Sequence, residues 1–323
     1  MTDARAIGGG PRRILLTGAG GFVAGHLVPR LRAAFPQAAL TLCGGGNLDL
    51  DVTDAAAVRA LVARVRPDAC VHLAAVSAVP LARQDPDHAW RVNLHGTLAL
   101  GDAILAAAPD CTMLYVSSAE IYGGSFRAGV PLDERAAPAP MNTYAATKAA
   151  ADLALGAMAA DGLRVVRLRP FNHTGPGQTP TFVVPAFARQ VARIAAGLQP
   201  PSLQVGALDP RRDFLDVRDV CDAYVACLRR ADAVAAGTIL NIASGVPRRI
   251  GDILQALLAL AGVRAEVETG AALLRPVDIP TACGDASAAR VLLDWAPAIA
   301  WERTLRDVLD DWMARVRAEA VKG

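Results

Sequence analysis

The sequence predicts an α/β protein, a doubly wound parallel sheet followed by a smaller C-terminal domain. Three observations carry this expectation. Short apolar runs alternate with helical stretches through the first half of the 323 residues, the pattern of parallel strands joined by crossover helices. A glycine-rich turn, Thr17-Gly18-Ala19-Gly20-Gly21, follows the first apolar run and opens a helix. After Pro170 the alternation gives way to a stretch punctuated by Pro176, Pro180, Pro185, Pro200, Pro201 and Pro210, residues that interrupt helices and central strands.

Taken in order, residues 13–17 read as the first strand, 39–43 as the second, 69–73 as the third, 113–118 as the fourth and 165–168 as the fifth. The Ala-rich intervals between them are built of good helix formers. Residues 214–226 and 238–242 read as a further helix and strand that return to the sheet. The expected division is a dinucleotide-binding domain over 1–169, rejoined by 213–243, and a substrate-binding domain over 170–212 and 244–323.

Composition excludes several classes. The apolar share is 53%, yet Arg, Asp or Pro breaks the longest apolar runs well short of the ~20 residues a membrane helix needs. The segment from Met1 to Arg13 holds Asp3 and Gly8-Gly9-Gly10-Pro11 without the apolar stretch of a signal peptide, so the cytoplasm is the expected location. Lys and Arg number 33 against 31 Asp and Glu, with no basic stripe to track a phosphate backbone, and neither nucleic acid nor membrane is an expected partner. Cys43, Cys70, Cys111, Cys221, Cys227 and Cys283 are scattered without a Cys-x-x-Cys pair. That spacing fits free, buried thiols in a reducing compartment and indicates no metal site.

The glycine turn has the chemistry of a dinucleotide site. Gly18 permits the tight turn, and Gly21 lets the backbone approach a pyrophosphate on the N-terminus of the helix that Phe22 and Val23 open. Ala24 takes the third small position. The first domain is therefore expected to be Rossmann-type. Asp51 and Val52 are placed to meet an adenine, although an Asp ahead of a helix serves equally as an N-cap. The end of the second strand reads Cys43-Gly44-Gly45-Gly46-Asn47 and lacks the carboxylate that holds a ribose 2′-hydroxyl. This favours NADP(H) and leaves NAD(H) open.

Tyr144 and Lys148 stand at i and i+4 in a helical stretch and share one face. An ammonium one turn away, with a positive nicotinamide ring, would lower a phenol from its usual pKa of about 10 and let it exchange protons near neutrality. Ser118 ends the fourth expected strand, at the carboxyl edge where doubly wound sheets bind ligands, and its hydroxyl suits a substrate oxygen. His72 and His173 have no paired carboxylate nearby in sequence and read as hydrogen-bonded structural histidines.

Four segments together, Thr17 to Leu27, His72 to Ala75, Val116 to Gly123 and Tyr144 to Lys148, resemble the extended short-chain dehydrogenase/reductases that modify nucleotide sugars. The stretches Arg169 to Gln178, Phe182 to Pro185 and Arg212 to Asp219 are most similar to GDP-4-keto-6-deoxymannose reductases, with GDP-mannose 4,6-dehydratases as close relatives. The resemblance implies that Ser118, Tyr144 and Lys148 are catalytic and that Leu73, Ala74, Ala75 and Pro170 lie against the cofactor. It implies Glu120 and Asn172 beside the sugar and diphosphate, Val183 and Val184 near the base, and Arg212 and Arg275 on the diphosphate, where a guanidinium forks onto phosphate oxygens. It further implies a homodimer paired through residues 86–107 and 144–160.

Several reactions are compatible with such a site. Reduction of a nucleotide-linked 4-ketone needs only a hydride donor and the Ser, Tyr and Lys groups. A 4,6-dehydratase needs an added acid and base just after the serine, where this chain has Ala119 and Glu120. A 4-epimerase uses the same three groups with tightly held NAD. An NADPH-binding sensor or scaffold would be expected to lose the Tyr or the Lys, and both are present.

Overall fold

The computed structural model describes residues 10–46, 48–270 and 279–322; Asn47 and Arg275 lie outside them. The first half comprises β1 (Arg13–Thr17), α1 (Phe22–Ala34), β2 (Ala39–Cys43), α2 (Ala55–Val65) and β3 (Ala69–His72). There follow α3 (Val79–Gln84), α4 (Pro86–Trp90), a π-helical turn Arg91–Gly96, α5 (Thr97–Ala107) and β4 (Thr112–Val116). A 3₁₀ stretch Ala119–Ala128 leads to α6 (Thr143–Ala160) and β5 (Val165–Pro170). The second half holds β6 (Asn172–Thr174), α7 (Val183–Ala195), β7 (Ser202–Val205), β8 (Arg211–Asp216), α8 (Val217–Arg229) and β9 (Ile239–Ile242). It closes with β10 (Pro247–Arg249), α9 (Ile250–Ala261), β11 (Glu266–Thr269), β12 (Thr281–Ala282), α10 (Ser287–Leu293) and α11 (Trp301–Lys322).

Six strands form one sheet in the order β2-β1-β3-β4-β5-β9, and every pairing in it is parallel. Helices on both faces explain why its strands are apolar throughout. In β1, Ile14 and Leu16 face one core and Leu15 the other, as the alternation of side chains along a strand requires. The chain runs from β1 outward to β2 and then crosses back to β3, so the strand order reverses beside β1. The crevice at the carboxyl ends of β1 and β3 is where such sheets bind dinucleotides.

A smaller sheet, β10-β8-β12 with β6 also paired to β8, stands beyond the carboxyl edge, and β7 pairs with β11. A separate core of α7, α9 and α11 side chains covers this side. Three sequence expectations shift. The fourth strand ends at Val116, so Ser118 lies beyond it, and the third ends at His72. Residues 214–216 finish β8, and the helix starts only at Val217, where the Asp216 carboxylate accepts the Arg218 N–H and caps it. β9 joins the main sheet beside β5, and α8 packs on α1. α10 also packs on β9 and α8, so part of the C-terminal stretch rests on the main sheet's own core. No helix among the described residues is long and apolar enough to cross a membrane.

The chain ahead of α11 is strapped to α8 by Asp219, whose buried carboxylate accepts the N–H groups of Ala298 and Ile299 at 3.1 Å each. Trp295 Nε1 donates to the Asp219 carbonyl at 2.9 Å. Asp219→Ala leaves two backbone donors without their partner and is expected to cost about 1–3 kcal/mol in urea unfolding. A variant as stable as the parent would show that the strap adds nothing.

Candidate active site

At the carboxyl end of β1, Gly18 has φ +74°, and a Cβ there would lie 2.7 Å from the Ala74 nitrogen. Only glycine lets this turn close onto the loop after β3. Thr17 fixes the same contact from the side: its Oγ1 accepts the Ala74 N–H at 3.3 Å and meets His72 Nδ1 at 2.7 Å. Thr97 donates its hydroxyl proton to Asn93 O at 2.8 Å, so its oxygen accepts from His72 Nε2 at 2.9 Å. His72 Nδ1 must then accept from Thr17, which makes this a neutral, Nε2-protonated imidazole. Burial, followed by the nearby Lys148 charge, pushes its pKa down to about 3.

The loop after β2 closes on the turn backbone to backbone. Gly20 donates to Gly44 O at 2.6 Å and Ala19 to Cys43 O at 2.9 Å. A Cβ on Gly45 would lie 2.7 Å from Gly20 Cα. Gly44, Gly45 and Gly46 therefore present no side chain to a ribose. Gly21 is the N-cap of α1 and makes no side-chain cap bond, so the first N–H groups of the helix face outward. Phe22 stacks on His173 with ring centroids 6.4 Å apart, and Val23 is partly buried behind it. Val52 is buried, whereas Asp51 is exposed and bonds Thr53 N and Oγ1 at 2.8 Å each. The N-cap of α2 is Asp54. Leu73 donates to Thr17 O at 3.2 Å, and Ala74 and Ala75 are partly buried beside it, while Pro170 is buried at the end of β5.

α6 delivers the reactive side chains. Asn142 caps it by accepting the Ala145 N–H at 2.9 Å and reaches Glu120 Oε2 with its amide at 3.5 Å. Tyr144, in the first turn, is hydrogen-bonded to Ser118. Ser118 stands in extended backbone, and its Oγ accepts the Glu120 N–H at 3.1 Å; its own proton is thus available to the phenol oxygen. Lys148, 3% exposed, donates to Val116 O at 2.5 Å and sits 4.4 Å above the Tyr115 ring. Burial pushes it down to about 7, with Asp152 opposing.

This arrangement corrects the expected acidification of Tyr144. Burial pushes the phenol up to about 12, the Ser118 bond lowers it and the Glu120 carboxylate raises it. The Lys148 ammonium is committed to the Val116 carbonyl, so burial prevails. Tyr144 is consequently a neutral phenol at neutral pH, equipped to give a proton rather than to take one.

The structure brings Ser118, Glu120, Tyr144 and Lys148 together and sets Asn172 and Arg212 on the second sheet and Val183 and Val184 on α7. Asn172 opens β6 and pairs with Phe214 of β8. Arg212, two residues earlier on β8, donates to Ile279 O at 2.7 Å and to Arg211 O at 2.9 Å, so it anchors the chain as it leaves the segment that holds Arg275. Val184 is 1% exposed in the core under α7, so a base could meet only its backbone; Val183 is partly buried.

Sequence reading passed over Asn93. Its amide bonds Val76 N at 2.8 Å, Val76 O at 3.2 Å and Thr147 Oγ1 at 2.9 Å, tying α6 between the tyrosine and the lysine to the loop after β3. It lies in the π-helical turn, a distortion frequent at functional sites that no periodicity announces. Asp152 was also passed over, although the i, i+4 spacing that singles out Lys148 extends to it.

The family model for GDP-mannose 4,6 dehydratase matches residues 47–308. A GDP-6-deoxy-D-mannose reductase of Pseudomonas aeruginosa is 38% identical over 309 residues, covering 95% of this chain and 99% of its own. A GDP-6-deoxy-D-talose 4-dehydrogenase of Aggregatibacter actinomycetemcomitans is 29% identical over 85% of this chain and 89% of its own. Among solved structures, RMD from Pseudomonas aeruginosa complexed with NADPH is similar with a TM-score of 0.85 and 35% identity, over 94% of this chain and 99% of that one. A UDP-glucose 4-epimerase of Thermus thermophilus with NAD follows at 0.79 and 26% identity, over 93% and 98%.

Gly18→Ala forces a Cβ into backbone, and the expected result is loss of dinucleotide binding by at least about tenfold, read by fluorescence titration. His72 supplies a pH test. The unfolded ring takes a proton near its usual 6.5, and the folded ring not until about 3. Between those values the unfolded state binds the extra proton, so stability declines as pH falls, by up to about 1.4 kcal/mol per unit. His72→Asn should flatten that slope in urea titrations; an unchanged slope would assign it to other groups.

Proposed function

The chain belongs to the GDP-mannose 4,6 dehydratase family of NAD(P)-dependent oxidoreductases, and on that premise we propose that it reduces the 4-ketone of GDP-4-keto-6-deoxy-D-mannose to a GDP-6-deoxyhexose with NADPH. The observation that carries this reading is the placement of Tyr144 against Ser118 at the carboxyl edge of the sheet, where burial favours the protonated phenol. Reduction of a ketone creates an alkoxide, and a neutral phenol is the acid that product requires.

The residues fit the cofactor: the absence of a Cβ at Gly18 lets the turn close onto the Ala74 backbone, and the glycines after β2 put no carboxylate against a 2′-phosphate. NADPH, when bound, supplies the hydride. Ser118 donates a hydrogen bond to the 4-oxygen and Tyr144 delivers its proton there as charge develops. Lys148 carries positive charge beneath the tyrosine and eases the loss of that proton. Asn172 and Arg212, with Arg275, are proposed for the sugar and diphosphate, Val183 and Val184 for the base, and Asp51 and Val52 for the adenine. Residues 170–212 and 244–323 are proposed to hold the nucleotide sugar against 1–169 and 213–243.

Dehydration would need an acid and a base after the serine. Ala119 has neither function, while Glu120 is present and half-buried, so Glu120 supports a 4,6-dehydratase as the second reading. Six buried cysteines, none of them in a disulfide, support work in the reducing cytoplasm. Leu153 on α6, 57% exposed, supports the proposed homodimer through residues 86–107 and 144–160.

The deciding assay supplies GDP-4-keto-6-deoxymannose and NADPH and follows loss of reduced nicotinamide absorbance, with the product identified by NMR. Tyr144→Phe is expected to lower kcat by about 10²–10⁴-fold while dinucleotide affinity holds. Conversion of GDP-mannose with NADP and no net redox change would replace the reductase with the dehydratase.

A further inference from the structure

Arg169 reaches both halves of the catalytic constellation. It stands at the end of β5, 2% exposed. Its Nε and Nη2 fork onto the Asp152 carboxylate at 3.1 and 2.9 Å. Asp152 is fully buried on α6, one turn beyond Lys148. The third nitrogen, Nη1, donates to the Tyr122 hydroxyl at 2.9 Å and to Glu134 O at 3.3 Å. Tyr122 belongs to the 3₁₀ stretch that begins immediately after Ser118. Its own proton goes to Asn241 Oδ1 at 2.8 Å, and Asn241 holds Leu132 O at 2.9 Å and Asp285 O at 3.1 Å.

A buried ion pair rarely stabilises a fold more than apolar side chains of the same volume. Tyr122, which takes the third arginine nitrogen, packs its ring against Phe126 and Phe171, so the pair borders an apolar cluster. An ion pair at this place is better explained by the geometry it imposes. We propose that Arg169, held by Asp152 and Tyr122, is a positioning residue that fixes the spacing between the Ser118 turn and the Tyr144–Lys148 helix. Asp152 links this brace to the lysine four residues earlier on α6, where its carboxylate favours the ammonium. The proposal deepens the reductase reading above and rests on it.

Several groups face Lys148. His72 comes from β3, the Tyr115 ring and Val116 carbonyl from β4, and Tyr144 and Asp152 from α6. Arg167 and Arg169 of β5 reach this region through Asp152. His72 and the two tyrosines are neutral near pH 7, which leaves Asp152 as the negative charge among these groups, shared with Arg167 and Arg169. Without it, burial and the two guanidinium charges both act against the ammonium.

Two full-length variants separate the parts. Tyr122→Phe removes a hydroxyl and keeps the ring; kcat is expected to fall about tenfold or more, with KM for NADPH and keto sugar within about threefold. Asp152→Asn removes the charge and one of the two acceptor oxygens, and the alkaline limb of the kcat/KM profile should move to lower pH by about half a unit or more. Tyr122→Phe should leave that limb in place. The same shift is read without substrate from the Lys148 ¹³Cε resonance, so a wild type that fails to turn over the keto sugar refutes the reductase reading while the lysine titration still judges Asp152. A Tyr122→Phe variant with unchanged kcat overturns the brace, and an unmoved lysine titration in Asp152→Asn overturns the electrostatic role. Should Asp152→Asn fail to fold, Tyr122→Phe decides the brace and Asp152→Glu the charge: the titration must then stay within about half a unit of wild type, and a larger move overturns it.

Discussion

A lysine ammonium sealed under the edge of a parallel sheet is the constraint on which this molecule turns. Lys148 must find partners where water does not reach, and it finds a backbone carbonyl and an aromatic face, both on β4. That requirement lays α6 across the carboxyl edge at one depth and in one rotation. Tyr144, one turn earlier, then has no choice but to meet Ser118, and Asn93 locks the same helix from its other side through Thr147. A cation held by neutral partners is also a weakened cation, pushed down to about 7. The site therefore carries its charge at the limit of what burial allows.

The tyrosine shows how burial and charge compete. A phenol beside an ammonium is expected to be acidic, but the same packing that brings the two together removes the water that would stabilise a phenolate. Here desolvation wins, and the proton stays on oxygen. For a ketone reductase this is the useful outcome, because the group must hold a proton until an alkoxide forms. The cofactor side follows a different logic: glycines at 18, 20 and 45 let three stretches of backbone touch, and what faces the dinucleotide is main chain.

The second sheet is joined to the first by buried carboxylates. Asp213 of β8 accepts from Ser244 N and Gly245 N at 2.9 Å each and from Gly284 N at 3.3 Å, pinning the loop after β9 and the turn after β12. Asp216 holds the start of α8 and bonds Thr304 of α11 at 2.8 Å. Residues that the sequence presents as one motif, Arg212 to Asp219, thus divide their work: the aspartates fasten elements together, and Arg212 holds the strand that returns from the segment around Arg275.

The sequence by itself determined the strands of the main sheet, the glycine turn and the pairing of Tyr144 with Lys148. Each rests on neighbours within a few residues, where the period of two or 3.6 and the preference of glycine for a left-handed turn leave little freedom. Tertiary structure decided the rest. Ser118 lies past its strand because the 3₁₀ turn takes it as a cap, and residues 214–216 are strand because β6 pairs with that segment. Arg169 meets Tyr122 across 47 residues, and Tyr122 meets Asn241 across 119; no local pattern encodes such partners. The state of the Tyr144 proton belongs to the same class, since desolvation is a property of everything packed around a group and not of the residues beside it in the chain.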